Sequence, residues 1–231
     1  MKLSDLPRLD GSSKQEVVIL GSGPTAPLID PRFFRNKTTI TLNDSFKIYQ
    51  GVGDYALVHH EGYLFDETGR YHHNLKYVKY PIIKNSGSDN VARFYQTDPC
   101  FFVYEWSHDL DRALMTDLKA TCLSENKLFY RKDGCSLHAA LQIALLIGAH
   151  DIFLVGCDSR EFGGYHYGAY GKDGFRDDDG TTKPPSRHYD AYIDGALLLK
   201  KYFSNFDVNI FSITPFVGLT DLDRQYNDIT V

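Results

Sequence analysis

The residues that could do chemistry begin with a loop. Val17 to Leu20 runs straight into Gly21-Ser22-Gly23-Pro24-Thr25. Glycines let backbone N–H groups approach an anion or a ribose closely, and a helical turn starting just beyond adds partial positive charge. The loop is neither GxGxxG nor a P-loop, since no Gly-Lys-Ser/Thr follows. A plain Gly-Pro turn is therefore the competing reading, and the position after a first strand is what favours a ligand. A second candidate is Gly134-Cys135-Ser136, ahead of an alanine- and leucine-rich stretch. It offers a hydroxyl and N–H groups to a phosphate, or it is simply a serine N-cap. Cys135 has no activating neighbour in sequence and reads as packing.

Residues 159–187 hold the densest set of polar aromatics. Tyr165, His166, Tyr167 and Tyr170 lie there, with Arg187 at its end and His188 and Tyr189 just beyond. Tyrosine hydroxyls can hydrogen-bond phosphate oxygens, and a histidine in a closing loop can act as a general base near neutral pH. Asp177-Asp178-Asp179 reads as a solvated acidic loop ahead of a metal site. The pairs His59-His60 and His72-His73 are not natural chelates, because neighbours on a strand point to opposite faces.

These segments need a scaffold that brings them together. Glu16–Leu20, Thr38–Leu42, Tyr55–His59, Tyr77–Ile83, Phe101–Tyr104, Asp151–Val155 and Val208–Ile213 read as strands. A helical turn is expected near Ala26 to Phe34, a helix from Ser136 to Gly148, and another over Ala191–Phe203. The helix-then-strand succession implies an α/β fold, a Rossmann-like, mostly parallel sheet flanked by helices. The strand ends then carry Gly21–Thr25, Asn43-Asp44, His60-Glu61, Gly156-Cys157-Asp158 and Thr214-Pro215 to one rim, where open parallel sheets bind ligands. Nearly thirty aperiodic residues at 159–187 are too long for a plain connection and read as a Gly/Tyr-rich lid over a single domain, residues 1–231.

Composition narrows the partners. The 231 residues carry a formal net charge of −5, which argues against duplex nucleic acid. The cysteines Cys100, Cys122, Cys135 and Cys157 show no CxxC spacing and read as reduced, mostly buried thiols. No apolar signal core opens the chain, and the longest apolar run, about Ala139 to Ala149, is too short to span a bilayer. The expectation is a cytoplasmic protein, with peripheral contact at the inner face of the membrane and homo-oligomer formation left open.

Val17–Thr25, the block Thr41-Leu42-Asn43-Asp44-Ser45-Phe46, Gly134-Cys135-Ser136 with its helix, Ile152–Asp158 and Ser212-Ile213-Thr214-Pro215 together resemble bacterial sialyltransferases of glycosyltransferase family 42. That resemblance implies transfer of a sugar, sialic acid, Kdo or a similar nonulosonate, from a CMP-activated donor to an acceptor hydroxyl on a glycan or lipid-linked saccharide. It implies inversion, a lid and no required metal. By the same resemblance His188 would be the base, and Tyr165 and Tyr167 would take the phosphate. Gly21, Ser22, Gly23, Pro24, Thr25 and Asn43 would meet the nucleotide, with Gly134, Ser136, Gly156 and Asp158 around it. His60 stands where the family tends to carry Asn. Arg131 is offset from the family's arginine, and Arg187 is a further candidate. The same blocks, with Phe162-Gly163-Gly164 after Asp158, also resemble the MptE-like 6-hydroxymethylpterin pyrophosphokinases. There Asp158 would serve Mg2+ and a nucleoside triphosphate. A non-catalytic nucleotide-binding module is the third reading.

Overall fold

β-Branched, apolar residues fill the first strand, Glu16–Leu20 (β1), and all but its first residue are buried, the pattern of a strand covered on both faces. The computed structural model describes residues 1–9, 15–23, 25–49, 51–59, 78–85, 101–131, 136–158, 186–214, 216 and 219, the side chains of 186–190 excepted. After β1 come β2 (Thr38–Leu42), β3 (Tyr55–Val58), β4 (Tyr80–Lys84), β5 (Phe102–Ser107), β6 (Lys127–Phe129), β7 (Asp151–Val155) and β8 (Asn209–Ser212). Four helices are described: α1 (Leu110–Leu114), α2 (Leu118–Glu125), α3 (Ser136–Ile147) and α4 (Ser186–Phe203).

The strands form one sheet in the order β6-β5-β4-β3-β2-β1-β7-β8, and every pairing is parallel. The chain thus builds outward from β1 to β6, then returns to place β7 on the other side of β1. The strand order reverses between β1 and β7, which makes their carboxyl ends the topological switch point. Register brings those ends level: Leu20 pairs with Thr41 of β2 and with Val155 of β7.

On one face Val17, Ile19, Ile40, Leu42, Ile152 and Leu154 join the main core with α3 and α4. On the other, Val18, Leu20 and Val155 pack with Ala26 and Phe34, which two short 3-10 turns supply (Ala26–Leu28 and Pro31–Phe34). From Leu137 to Ile147 every residue of α3 is buried, as befits a helix apolar around its circumference. Gln142 is the polar test of that burial, and it is satisfied. Its amide donates to Phe129 O (2.6 Å) and His138 O (2.9 Å), and its carbonyl accepts from Phe129 N (2.9 Å). That exchange ties α3 to edge strand β6 and meets the bonding demand that would otherwise make a buried amide costly.

Two expectations shift. α4 opens at Ser186, five residues ahead of the expected Ala191, so the last two residues of the 159–187 stretch are helical. Prolines ahead of Ser186 in the sequence are compatible with a helix start, where the first N–H groups lack intrahelical partners anyway. The elements α1, α2 and β6 were not expected at all. Among the described residues no helix is long and apolar enough to cross a membrane.

Candidate functional site

At the switch point the loops after β1 and β7 interlock. Gly21 N donates to Val155 O and Gly23 N to Gly156 O, both at 2.8 Å. Thr25 gives its N–H (3.1 Å) and its hydroxyl to the two carboxylate oxygens of Asp158. The loops lie too close for side chains. A Cβ on Gly21 would stand 2.4 Å from Gly156 O, and one on Gly23 2.4 Å from Asp158 Oδ2. Glycine is required here by loop-to-loop contact. The N–H groups of Gly21, Gly23 and Thr25, expected to face a ligand, are spent inside the protein. Ser22 is the half-exposed residue between the two buried glycines, and its side chain hydrogen-bonds Asp44.

Burial pushes the Asp158 carboxyl above its ordinary range, opposed by the Thr25 hydrogen bonds. Asp44 is raised by burial as well. A carboxylate with both oxygens already accepting from Thr25 is a brace between loops. Among the described residues no three His, Cys, Asp or Glu side chains gather where they could hold a metal ion. The described cysteines, Cys122 and Cys157, are buried thiols.

One strand over, Asn43 occupies the left-handed region (φ 51°), which asparagine tolerates better than most residues. Its N–H donates to Leu57 O (2.8 Å), its side-chain oxygen accepts from His59 N (3.0 Å), and its amide donates to Ser136 Oγ (3.3 Å). Asn43 therefore joins the ends of β2 and β3 to the first residue of α3. Ser45 fixes the same turn, accepting from Leu42 N (2.8 Å) and donating to Leu20 O (2.6 Å).

Helix α4 carries position 188 in its first turn. One turn later Tyr192 is held from two sides. Its hydroxyl donates to Cys157 O (2.9 Å) in the β7 loop, and its carbonyl accepts from His138 Nε2 (3.0 Å) on α3. Gly195 makes room, since a Cβ there would lie 2.2 Å from the His138 ring. Arg131 pairs with Asp194 (3.2 Å), an ion pair exposed enough to be worth little. α4 is thus fixed to the rim through His138, Tyr192 and Cys157, none of them marked by the sequence as anchors.

Burial keeps the His138 ring neutral. Its proton sits on Nε2, while Nδ1 is buried without a partner, and burial lowers its pKa to about 4. An unfolded imidazole protonates near 6.5. Between those values the unfolded chain binds more protons, so stability falls as pH drops, by at most about 3 kcal/mol. The raised carboxyls of Asp44 and Asp158 work in the opposite sense. Urea unfolding at pH 7.5 and pH 5 should show the wild type losing about 2 kcal/mol more than His138→Gln across that step. Parallel losses in the two proteins would refute the assignment.

Of the residues singled out in the sequence, the structure brings together Gly21, Ser22, Gly23, Thr25, Gly156 and Asp158 at one corner, and Asn43 with Ser136 beside it. Arg131 stands off, on Asp194. Pro24, His60, Gly134, Tyr165, Tyr167 and the acidic run Asp177–Asp179 lie outside the described residues, as do the side chains of Arg187 and His188. What the sequence reading passed over is His59, set aside there only as a chelate, together with Lys84 and Trp106.

No protein-family model matches this chain, and no curated protein resembles it in sequence. Solved structures do resemble it in fold. The sialyltransferase CstII from Campylobacter jejuni, solved with the substrate analogue CMP-3FNeuAc, aligns over 91% of this chain and 84% of its own, at 15% identity and a TM-score of 0.50. The monofunctional alpha-2,3-sialyltransferase Cst-I from the same organism aligns over 95% and 82%, at 15% identity and a TM-score of 0.53. At such identity the likeness is one of fold, and it is the fold that the sequence blocks led us to expect.

Proposed function

We propose that this chain, built on the fold of those two sialyltransferases, is an inverting glycosyltransferase that takes a nonulosonate such as sialic acid or Kdo from a CMP-activated donor. The observation that carries the reading is the convergence at the switch point. Ser22, Asn43 and Ser136 stand on neighbouring elements around the β1–β7 corner, on a fold whose CstII example was solved with a CMP-sugar analogue. Ser22, Asn43 and Ser136 contact the donor. Gly21, Gly23, Thr25, Gly156 and Asp158 hold the two loops in register beneath it, and Pro24 and Gly134 are assigned to the nucleotide by their sequence blocks.

The reaction is a direct displacement. The acceptor hydroxyl oxygen forms a bond to the anomeric carbon, and its proton passes to the His188 imidazole. The bond from that carbon to the phosphate oxygen breaks, and its electron pair leaves with CMP. Tyr165 and Tyr167 hydroxyls and the N-terminus of α3 stabilise the charge that develops on the departing phosphate. The 159–187 segment covers the donor and excludes water. The acceptor is a saccharide hydroxyl.

The magnesium-dependent pyrophosphokinase is the rival reading; the fold shared with the two sialyltransferases favours the transferase over it, and Asp158 serves as a brace to Thr25. Incubation with CMP-N-acetylneuraminic acid or CMP-Kdo should release CMP, at the same rate in chelator as in magnesium. Silence with both donors, together with magnesium-dependent release of AMP from ATP and a hydroxymethylpterin, would overturn the proposal.

A further inference from the structure

A second polar cluster continues the rim beyond Asn43, on strands the donor reading does not use. Lys84 closes β4, and its ammonium lies 3.1 Å from His59 Nε2 and 4.1 Å from the Trp106 ring centre. An ammonium only donates, so the His59 proton sits on Nδ1, which faces Tyr130 Oη at 3.3 Å. Tyr130 and Tyr104 share a bond of 2.9 Å between their hydroxyls. His59 N in turn donates to Asn43 Oδ1 (3.0 Å), so the cluster abuts the proposed donor contacts directly.

What Lys84 lacks, among the described residues, is a counter-charge. Lys84 is half-buried, and among the described residues no carboxylate pairs with it, although other lysines there do find one. Burying an ammonium without an anion is costly, and an aromatic face offsets only part of that cost. Burial pulls the Lys84 pKa below the usual lysine range. The neighbouring ring, Trp106, is 38% exposed and is braced edge-on by His108 at 4.6 Å.

We infer that Lys84, oriented by His59 and flanked by Trp106, is an anion-binding subsite that receives the acidic group of the acceptor saccharide. The assignment to the acceptor rests on the transferase reading. The donor contacts reach only as far as β2, whereas Lys84 stands on β4, two strand spacings or about 10 Å further along the rim. The acceptor is therefore an acidic sugar, and neutral saccharides are poor substitutes.

Methyl β-D-glucuronide and methyl β-D-glucoside, a pair differing in the carboxylate, test this by ligand-observed NMR with CMP present. The wild type should bind the glucuronide and discriminate at least tenfold against the glucoside. Lys84→Met should abolish that discrimination, Lys84→Arg should keep it, and CMP affinity should stay within twofold in both. The melting temperature of Lys84→Met should hold or rise, since it removes an uncompensated charge; a Lys retained for stability would lower it. Equal binding of the two glycosides, no binding of either, or discrimination that survives Lys84→Met would overturn the subsite. Lys84-dependent binding of free N-acetylneuraminic acid, without the glucuronide, would move the contact to the donor sugar and overturn the acceptor assignment. CMP titrated alone judges the transferase reading separately, because failure there leaves the glycoside comparison standing.

Discussion

Gly156→Ala should cost about 2–5 kcal/mol of folding stability and most of the CMP affinity at physiological temperature. Two causes add. Gly156 sits at φ +61°, where a Cβ costs about 1–2 kcal/mol. That Cβ would also stand 2.4 Å from Ala26 Cβ and 2.8 Å from Gly21 O, an overpacking worth about 1–3 kcal/mol. Neither neighbour is the far end of a flexible chain, so relief must come from moving the β1 loop itself. In a chain of this length the melting temperature should fall by on the order of 10 °C. Gly148→Ala is the control. Gly148 also has a left-handed φ (+97°) but nothing within 4 Å of its added Cβ, so it carries the backbone strain alone, about 1–2 kcal/mol. Urea denaturation of both variants decides the point. Equal losses would mean that the loops are not interlocked as described.

His188→Ala should lower turnover by about 10²–10⁴-fold while CMP affinity changes by less than about twofold. The helix position supports this pairing of outcomes. Positions 188 and 192 are one turn apart and share a face of α4, and Tyr192 on that face reaches Cys157 O in the β7 loop. Position 188 thus lies one helical turn from a residue anchored at the rim and is no part of the β1–β7 brace. Single-turnover CMP release and calorimetric CMP titration separate the two effects. Loss of CMP binding would make His188 a nucleotide contact, and unchanged turnover would remove it from the chemistry. The acid limb of the rate profile should vanish with the imidazole, since a base acts only when deprotonated.

Much of the sheet could be read from the chain, and the reason is physical. Strands in a buried parallel sheet have no polar face, so EVVIL and DIFLV stand out as continuous apolar runs, and β1, β2 and β7 match their expected bounds. β6 is three residues, KLF, below the length at which a pattern exists. α2 carries little one-sided apolarity, and its marks are its ends, the Asp117 cap on Ala120 N and the left-handed Asn126. β4 contains Pro81, a residue that reads as an interruption, and it runs over Tyr80–Lys84 where Tyr77–Ile83 was expected.

The candidate site divides along the same line. Gly21, Gly23 and Gly156 announce themselves because glycine after a strand is locally legible. What the glycines do was not, because their partners lie more than a hundred residues away and depend on β7 returning beside β1. The role of Asp158 as a brace, and of His138 as the anchor of α4, follows from the same long-range pairing. His59 follows β3, Lys84 closes β4 and Trp106 lies in β5, and only the order of these adjacent strands makes them neighbours.

The most direct test of the central claim is a ligand panel read by calorimetry: CMP, CDP, UDP, ADP and ATP, each with and without magnesium. The transferase account predicts that CMP binds best and that magnesium makes no difference. At 100 times its dissociation constant CMP should then stabilise the fold by about 2.7 kcal/mol. Magnesium-dependent binding of ATP, with CMP silent, would contradict it.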